Sequence, residues 1–173
     1  ELIKAERVAS HGGSLRGVVQ HKDGPHAVDG SVLTRVVHEA EIGLYEAATL
    51  QQLGTKISRV GTELMALLKS MRASGKRIAG FGAPAKATTL MYQFDMGPDM
   101  IDFIVDDSPL KQDLFSPGMH IPVLPSEALY SKRPDAVVVL AWNFAEPIIK
   151  KHAAFVEQGG QFIVPLPSVR IIG

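Results

Sequence analysis

The sequence predicts an α/β fold: a three-layer domain with a mostly parallel sheet, preceded by a long amphipathic helical segment and a short β-like N-terminal stretch. Three observations predict it. From Gly75 onward, apolar runs over residues 77–82, 100–106, 135–141 and 161–165 are separated by helical patterns. The runs are continuous and rich in Val, Ile and Phe, the pattern of strands buried on both faces. Strands that alternate with helices need right-handed crossovers, which gives parallel pairing. The result is a Rossmann-like layer of about four or five strands over residues 75–173.

The elements follow in chain order. Residues 1–30 read as β-like, with two apolar runs on either side of Gly12-Gly13 that suit a hairpin or a strand pair. Asp23-Gly24-Pro25 and Asp29-Gly30 mark turns. This stretch has little to pack on by itself and reads as the tail of a preceding domain. Residues 31–74 read as a helical connector, with Ser31 as its cap. Val37, Leu44, Ala48, Leu53, Ile57, Val60, Leu64, Leu67, Leu68 and Met71 form one apolar stripe, most of it at helical spacing. Gly43, Gly54 and Gly61 each weaken a helix by about 1 kcal/mol relative to Ala, so a break or a close helix contact is expected at one of them.

From Gly75 the units alternate. A strand over residues 77–82 leads into a helix over 85–94, and a second strand spans 100–106. An extended piece over 121–124 precedes a brief helix capped by Ser126, ending near Tyr130. A strand at 135–141, a helix at 146–158 stopped by Gly159-Gly160, and a last strand at 161–165 complete the series.

Composition limits the partners. Of 173 residues, 46% are hydrophobic and 21% charged, an ordinary globular balance. Lys plus Arg equals Asp plus Glu at 18 each, so no basic excess points to nucleic acid. The absence of cysteine excludes disulfides, thiolate chemistry and a Cys-based zinc site in these residues, and fits a reducing, cytoplasmic setting. No apolar run reaches the ~18 residues of a membrane span. Since Glu1 is not Met and no signal pattern follows it, the chain is expected to be a piece of a longer protein.

The chemistry concentrates at Gly80-Phe-Gly-Ala-Pro-Ala-Lys-Ala-Thr-Thr89, between a strand and a helix. Backbone N–H groups and the positive helix end suit an anion there. Gly80 and Gly82 permit the tight turn, and Lys86 adds charge in the first helical turn. Against this, Pro84 removes one donor, and a tight turn without any ligand has the same outline. Asp106 and Asp107 close the second strand, where an acid holds a ribose in nicotinamide-binding folds. Asp107 reads as a turn cap and Asp106 as the ligand contact. Trp142 and Asn143 end the third strand, where ligands bind in open α/β sheets; packing and helix capping fit them equally. The six histidines show no metal-ligand spacing, and no nucleophile elbow or paired carboxylates stand out. No metal and no catalytic residue are expected here.

Several segments in order resemble one family. They are His11-Gly-Gly-Ser-Leu-Arg16, residues 75–90, residues 101–112, Pro117-Gly-Met-His-Ile-Pro-Val-Leu124, Leu140-Ala-Trp-Asn143 and Gly159-Gly-Gln-Phe-Ile-Val-Pro165. Together they resemble the C-terminal portion of the deoxysugar C-methyltransferases, which methylate a nucleotide-linked keto-sugar with S-adenosylmethionine. The resemblance implies a zinc-binding module, then a cofactor-binding middle domain, then this domain. Residues 1–30 would be the tail of the methyltransferase domain, and the cofactor site and catalytic groups would lie upstream of residue 1. It implies substrate contacts at Gly82, Ala83, Lys86, Asp106, Lys111, His120 and Asn143. The sequence departs from the family at Ala87-Thr88-Thr89, where relatives often carry a glycine. Two other readings stay open. One is a stand-alone NAD(P)- or CoA-binding module. The other is a ligand-free structural or dimerisation domain, whose stripe from Val37 to Met71 packs on a partner subunit or on the preceding domain.

Overall fold

A computed structural model describes all residues, 1–173. The chain divides into two compact units, Glu1–Lys56 and Ile57–Gly173.

In the first unit, β1 (Leu2–Val8) pairs antiparallel with β2 (Ser14–Val19). The link is a tight turn over Ser10–Gly12. Gly12 at φ 81° and Gly13 at φ 120° adopt backbone that side chains disfavour, which is why the paired glycines mark the reversal. Helix α1 (Gly30–Glu41) follows. Its cap is Asp29 and not the expected Ser31: the Asp29 carboxylate accepts from Ser31 N at 2.8 Å. Ser31 Oγ instead accepts from Ala5 N at 3.1 Å, tying α1 to β1.

The expected helical connector is two helices. The break falls at Gly43, which takes a left-handed φ of 67°. Helix α2 (Ala47–Ala73) then runs through Gly54 and Gly61 unbroken. Gly61 serves a close approach: a Cβ there would lie 2.6 Å from Phe94 Cδ1.

The second unit is built on a six-stranded sheet. Its strands are β3 (Ile78–Phe81), β4 (Phe103–Val105), β5 (Val123–Leu124), β6 (Ala136–Val139), β7 (Gln161–Val164) and β8 (Arg170–Ile172). They are ordered β5-β4-β3-β6-β7-β8, and every pair is parallel except β7 with β8. Helices α3 (Ala85–Phe94), α4 (Ala128–Lys132), α5 (Ala145–Lys151) and α6 (Ala153–Glu157) connect them. The fold is thus mixed α/β with a mostly parallel sheet, as expected. Three details differ from the sequence reading. Strand β8 adds an antiparallel edge. The helix expected over 146–158 breaks at His152. Ser126 does not cap its helix with its side chain; Ser126 Oγ donates to Asp107 Oδ1 at 2.5 Å.

Alternation along the strands explains the continuous apolar runs. Ile78, Ile104, Val138, Leu140 and Ile163 pack with Leu64 and Leu68 of α2 and with Leu90, Met91 and Phe94 of α3. Their neighbours Ala79, Phe81, Phe103, Val105, Val137, Val139 and Phe162 pack with Leu129 of α4, Ala145 of α5 and Phe155 of α6. Successive side chains point to opposite faces, and both faces are covered, so neither set is polar. An ion pair holds one end of α2: Arg72 Nη2 lies 2.6 Å from Asp102 Oδ1, with both groups partly buried.

Candidate functional site

The carboxyl ends of β3, β4 and β6 bring most of the expected contact residues together. After Phe81 the chain turns at Gly82, with φ 89° and its N–H donating to Val105 O at 2.7 Å. A Cβ at Gly82 would lie 2.6 Å from Ala141 Cβ, so only glycine lets β3 turn this close to the end of β6. Pro84 stands before α3, and Ala87 N donates to Pro84 O at 2.8 Å, closing the first helical turn.

Two networks meet at this corner. In the first, Ala83 N donates to Asp106 Oδ2 at 2.7 Å, Lys111 Nζ lies 3.1 Å from the same oxygen, and Ser108 N donates to Asp106 Oδ1 at 2.8 Å. Asp106 is 7% exposed, so these protein donors replace solvent around it. The Asp106 backbone oxygen also accepts from Gln112 Nε2 at 2.9 Å.

In the second network, Lys86 donates to Asn143 Oδ1 across 57 positions of sequence. Its ammonium sits 4.5 Å from the centre of the Trp142 ring and 5.7 Å from that of Phe144. Both distances lie within the ~6 Å range of a cation–π contact. Burial pushes the Lys86 ammonium below the usual lysine pKa, because the charged form is partly withdrawn from water.

The sequence suggested Asp107 as the cap of this turn, and the structure gives that part to Asp106. Asp106 caps it, accepting from the N–H two residues on. Asp107 reaches the helices instead, accepting from Ser126 Oγ and from Lys151 Nζ at 2.7 Å. Those two bonds hold its carboxyl below the usual range.

Of the expected contacts, Gly82, Ala83, Asp106 and Lys111 form one group, and Lys86 and Asn143 form another. His120 joins neither through any hydrogen bond. It lies exposed at φ 54° in the turn before β5, its N–H donating to Ser116 O at 3.0 Å. Asn143 is not the cap residue of α5, a position held by Phe144. Trp142 packs against the core while carrying Lys86 on its face. Sequence reasoning missed Phe144, whose place after Trp142-Asn143 at a strand tip was the available signal. No group of three or more His, Asp or Glu side chains is arranged to hold a metal ion, and no helix is long and apolar enough to cross a membrane.

The architecture is a mixed α/β domain with a mostly parallel sheet, a glycine turn and a lysine at the strand tips. The chain belongs to the C-methyltransferase C-terminal domain family, whose model matches residues 9–167. It is 35% identical over 162 residues to the C-methyltransferase NovU of Streptomyces niveus. That match covers 94% of this chain and 39% of the relative, so the chain spans well under half of the relative's length.

Proposed function

We propose that this chain is the substrate-holding part of a C-methyltransferase that acts on a nucleotide-linked sugar with S-adenosylmethionine. In this reading residues 1–30 are the tail of the methyltransferase domain, residues 31–74 a connector, and residues 75–173 a Rossmann-like domain. The observation that carries the proposal is the convergence of Lys86 and Asn143 over Trp142 at the tips of β3 and β6. Counted from β3, the strand order runs 3-2-1-4-5-6, the doubly wound order of dinucleotide-type folds. The order reverses between β3 and β6, and ligands bind beyond the carboxyl ends of strands at such a switch point.

The diphosphate contact would come from the Lys86 ammonium and the first N–H groups of α3, at Ala85 and Lys86, which have no acceptor within the helix. Ala83 N–H is bonded to Asp106, and Pro84 has none. Asp106 and Lys111 therefore act by fixing the turn. A partly desolvated lysine attracts a phosphate oxygen more strongly than a fully hydrated one.

The acid at the end of β4 is already largely engaged, which supports a site for S-adenosylmethionine outside these residues. A ribose needs a carboxylate with open acceptor positions at the end of β4. Asp106 already accepts three protein donors of a carboxylate's about four. We therefore assign the cofactor to the part of the longer protein that precedes this chain.

The test is Lys86→Ala in the full-length enzyme. Loss of one charge-assisted hydrogen bond of about 1.5–3 kcal/mol should raise KM for the nucleotide-sugar by roughly tenfold to hundredfold, with a smaller change in kcat. Unchanged KM and kcat would remove the residue on which the reading rests. Calorimetry of the present chain should show weak binding of a nucleoside-diphosphate sugar and none of S-adenosylmethionine.

A further inference from the structure

The hairpin of the first unit has two edges, and they differ. The outer edge of β1 is occupied: Ile3 O accepts from Asp29 N at 2.8 Å, and Ala5 N donates to Ser31 Oγ at 3.1 Å. The outer edge of β2 meets nothing. Which of its groups face outward follows from the register. Because Ala5 N–H points away from β2, Ala5 and its partner Gly17 form a pair without mutual hydrogen bonds. Such pairs alternate with bonded ones, so Leu15, opposite Arg7, also turns its N–H and C=O outward. At the far end Gln20 and Glu1 exchange both backbone bonds, at 3.0 and 2.7 Å, which leaves the preceding Val19 facing outward as well.

The outward groups of Leu15, Gly17 and Val19 find no partner within the chain. Leu15 and Val19 are 60% and 72% exposed. Exposed edge strands are normally guarded by proline, a bulge or an outstretched charge. Here β2 has no proline, and the one register shift lies on β1. The only charged side chain of β2, Arg16, is drawn back onto Glu6 at 2.5 Å. Gly17 at the middle of the edge carries no side chain, as at strand positions where another backbone comes close. A two-stranded sheet is marginal by itself, and this one, with α1, buries a single apolar side chain, Ala5.

We propose that the β2 edge is a docking surface for a strand of the polypeptide preceding residue 1, which adds to β2 by main-chain hydrogen bonds at Leu15, Gly17 and Val19. This rests on the reading of residues 1–30 as the end of a preceding domain. The matched family is a C-terminal domain, and the chain covers 39% of its relative, so a large preceding part is available as occupant. Glu1 is itself bonded into the hairpin, so a polypeptide continuing before it is tethered there. Tethering raises the effective concentration of that strand above what a second copy of the chain reaches.

The test is amide hydrogen exchange at single-residue resolution in the 173-residue chain and in the full-length enzyme. In the 173-residue chain Leu15, Gly17 and Val19 should exchange fast, while Arg16 and Val18, bonded to β1, exchange more slowly. In the full-length enzyme the three outward amides should slow by roughly a hundredfold or more. Leu15→Pro removes one outward N–H and spares the bonds to β1. It should abolish the slow exchange at Gly17 and Val19 in the full-length enzyme and leave Arg16 and Val18 of the 173-residue chain unchanged. Lys86→Ala should leave the whole pattern as it is, which separates failure here from failure of the diphosphate reading. Equal exchange of the outward amides in both proteins, or slow exchange that survives Leu15→Pro, would overturn the proposal. So would protection in the 173-residue chain that grows with its concentration, because the edge would then belong to a second copy.

Discussion

Helix α2 carries one apolar stripe that meets two different ends. Toward its start, Leu50 and Leu53 stand 56% and 53% exposed. Toward its end, Val60, Leu64, Leu68 and Met71 are buried, Leu64 and Leu68 completely, against the sheet. The contrast extends to the two units. Before Val60, Ala5 is the sole buried apolar residue, although Leu33, Val36 and Val37 keep helical spacing in α1. Periodicity thus reports that a helix has an apolar face. It does not report whether the surface for that face lies in the same chain.

The sharpest way to break this contrast is a pair of identical substitutions along the one helix. Leu64→Ala removes a fully buried side chain and should cost about 2–5 kcal/mol. Leu53→Ala, over half exposed, should stay within about 0.5 kcal/mol. Urea unfolding of both variants gives the comparison directly. Equal losses would mean that the start of α2 is packed as firmly as its end.

Glycines give the next contrast. Gly82→Ala puts a Cβ 2.6 Å from Ala141 Cβ at φ 89°, and should cost about 2–4 kcal/mol from overpacking and left-handed strain together. Gly54 lies in α2 with nothing within 4 Å of an added Cβ. Gly54→Ala should therefore raise stability by about 1 kcal/mol through helix propensity alone. Thermal melts of the two variants should shift in opposite directions, and a loss in both would show an unseen constraint at Gly54.

These contrasts also mark what was legible in advance. The buried strands announced themselves because both faces are covered, and α3 announced itself through the glycine turn before it. Strand β8 did not: Arg170 and Ile171 are exposed and the pairing is an edge contact set by β7. The break at His152 was hidden because Ile148, Ile149, Phe155 and Val156 keep facing one core across it. Lys86 and Asn143 could be found because the rule of strand tips selects both. That Asp106 and not Asp107 caps the turn could not, since neighbours at a strand's end point to opposite faces and the sequence does not say which face holds the glycine turn.

The smallest expected effect is a dependence of stability on pH that the second unit shows through His152. Burial is the main cause of its lowered pKa, with Lys151 next. In the unfolded chain the ring takes a proton near the ordinary value of 6.5. The folded ring resists protonation to lower pH, so below 6.5 the unfolded state binds more protons and stability falls. The contribution is complete above pH 6.5 and declines as pH drops toward the folded value, by at most about 1.4 kcal/mol per pH unit. Asp107 acts in the same direction in a lower window, below its ordinary value of 3.8, where protonation releases Lys151 and Ser126. Urea midpoints measured from pH 7.5 down to 5.5 should therefore drop in the native sequence. In His152→Phe, which keeps a ring beside Phe81, the drop should be shallower over the same interval. Parallel curves would mean that His152 protonates as readily folded as unfolded.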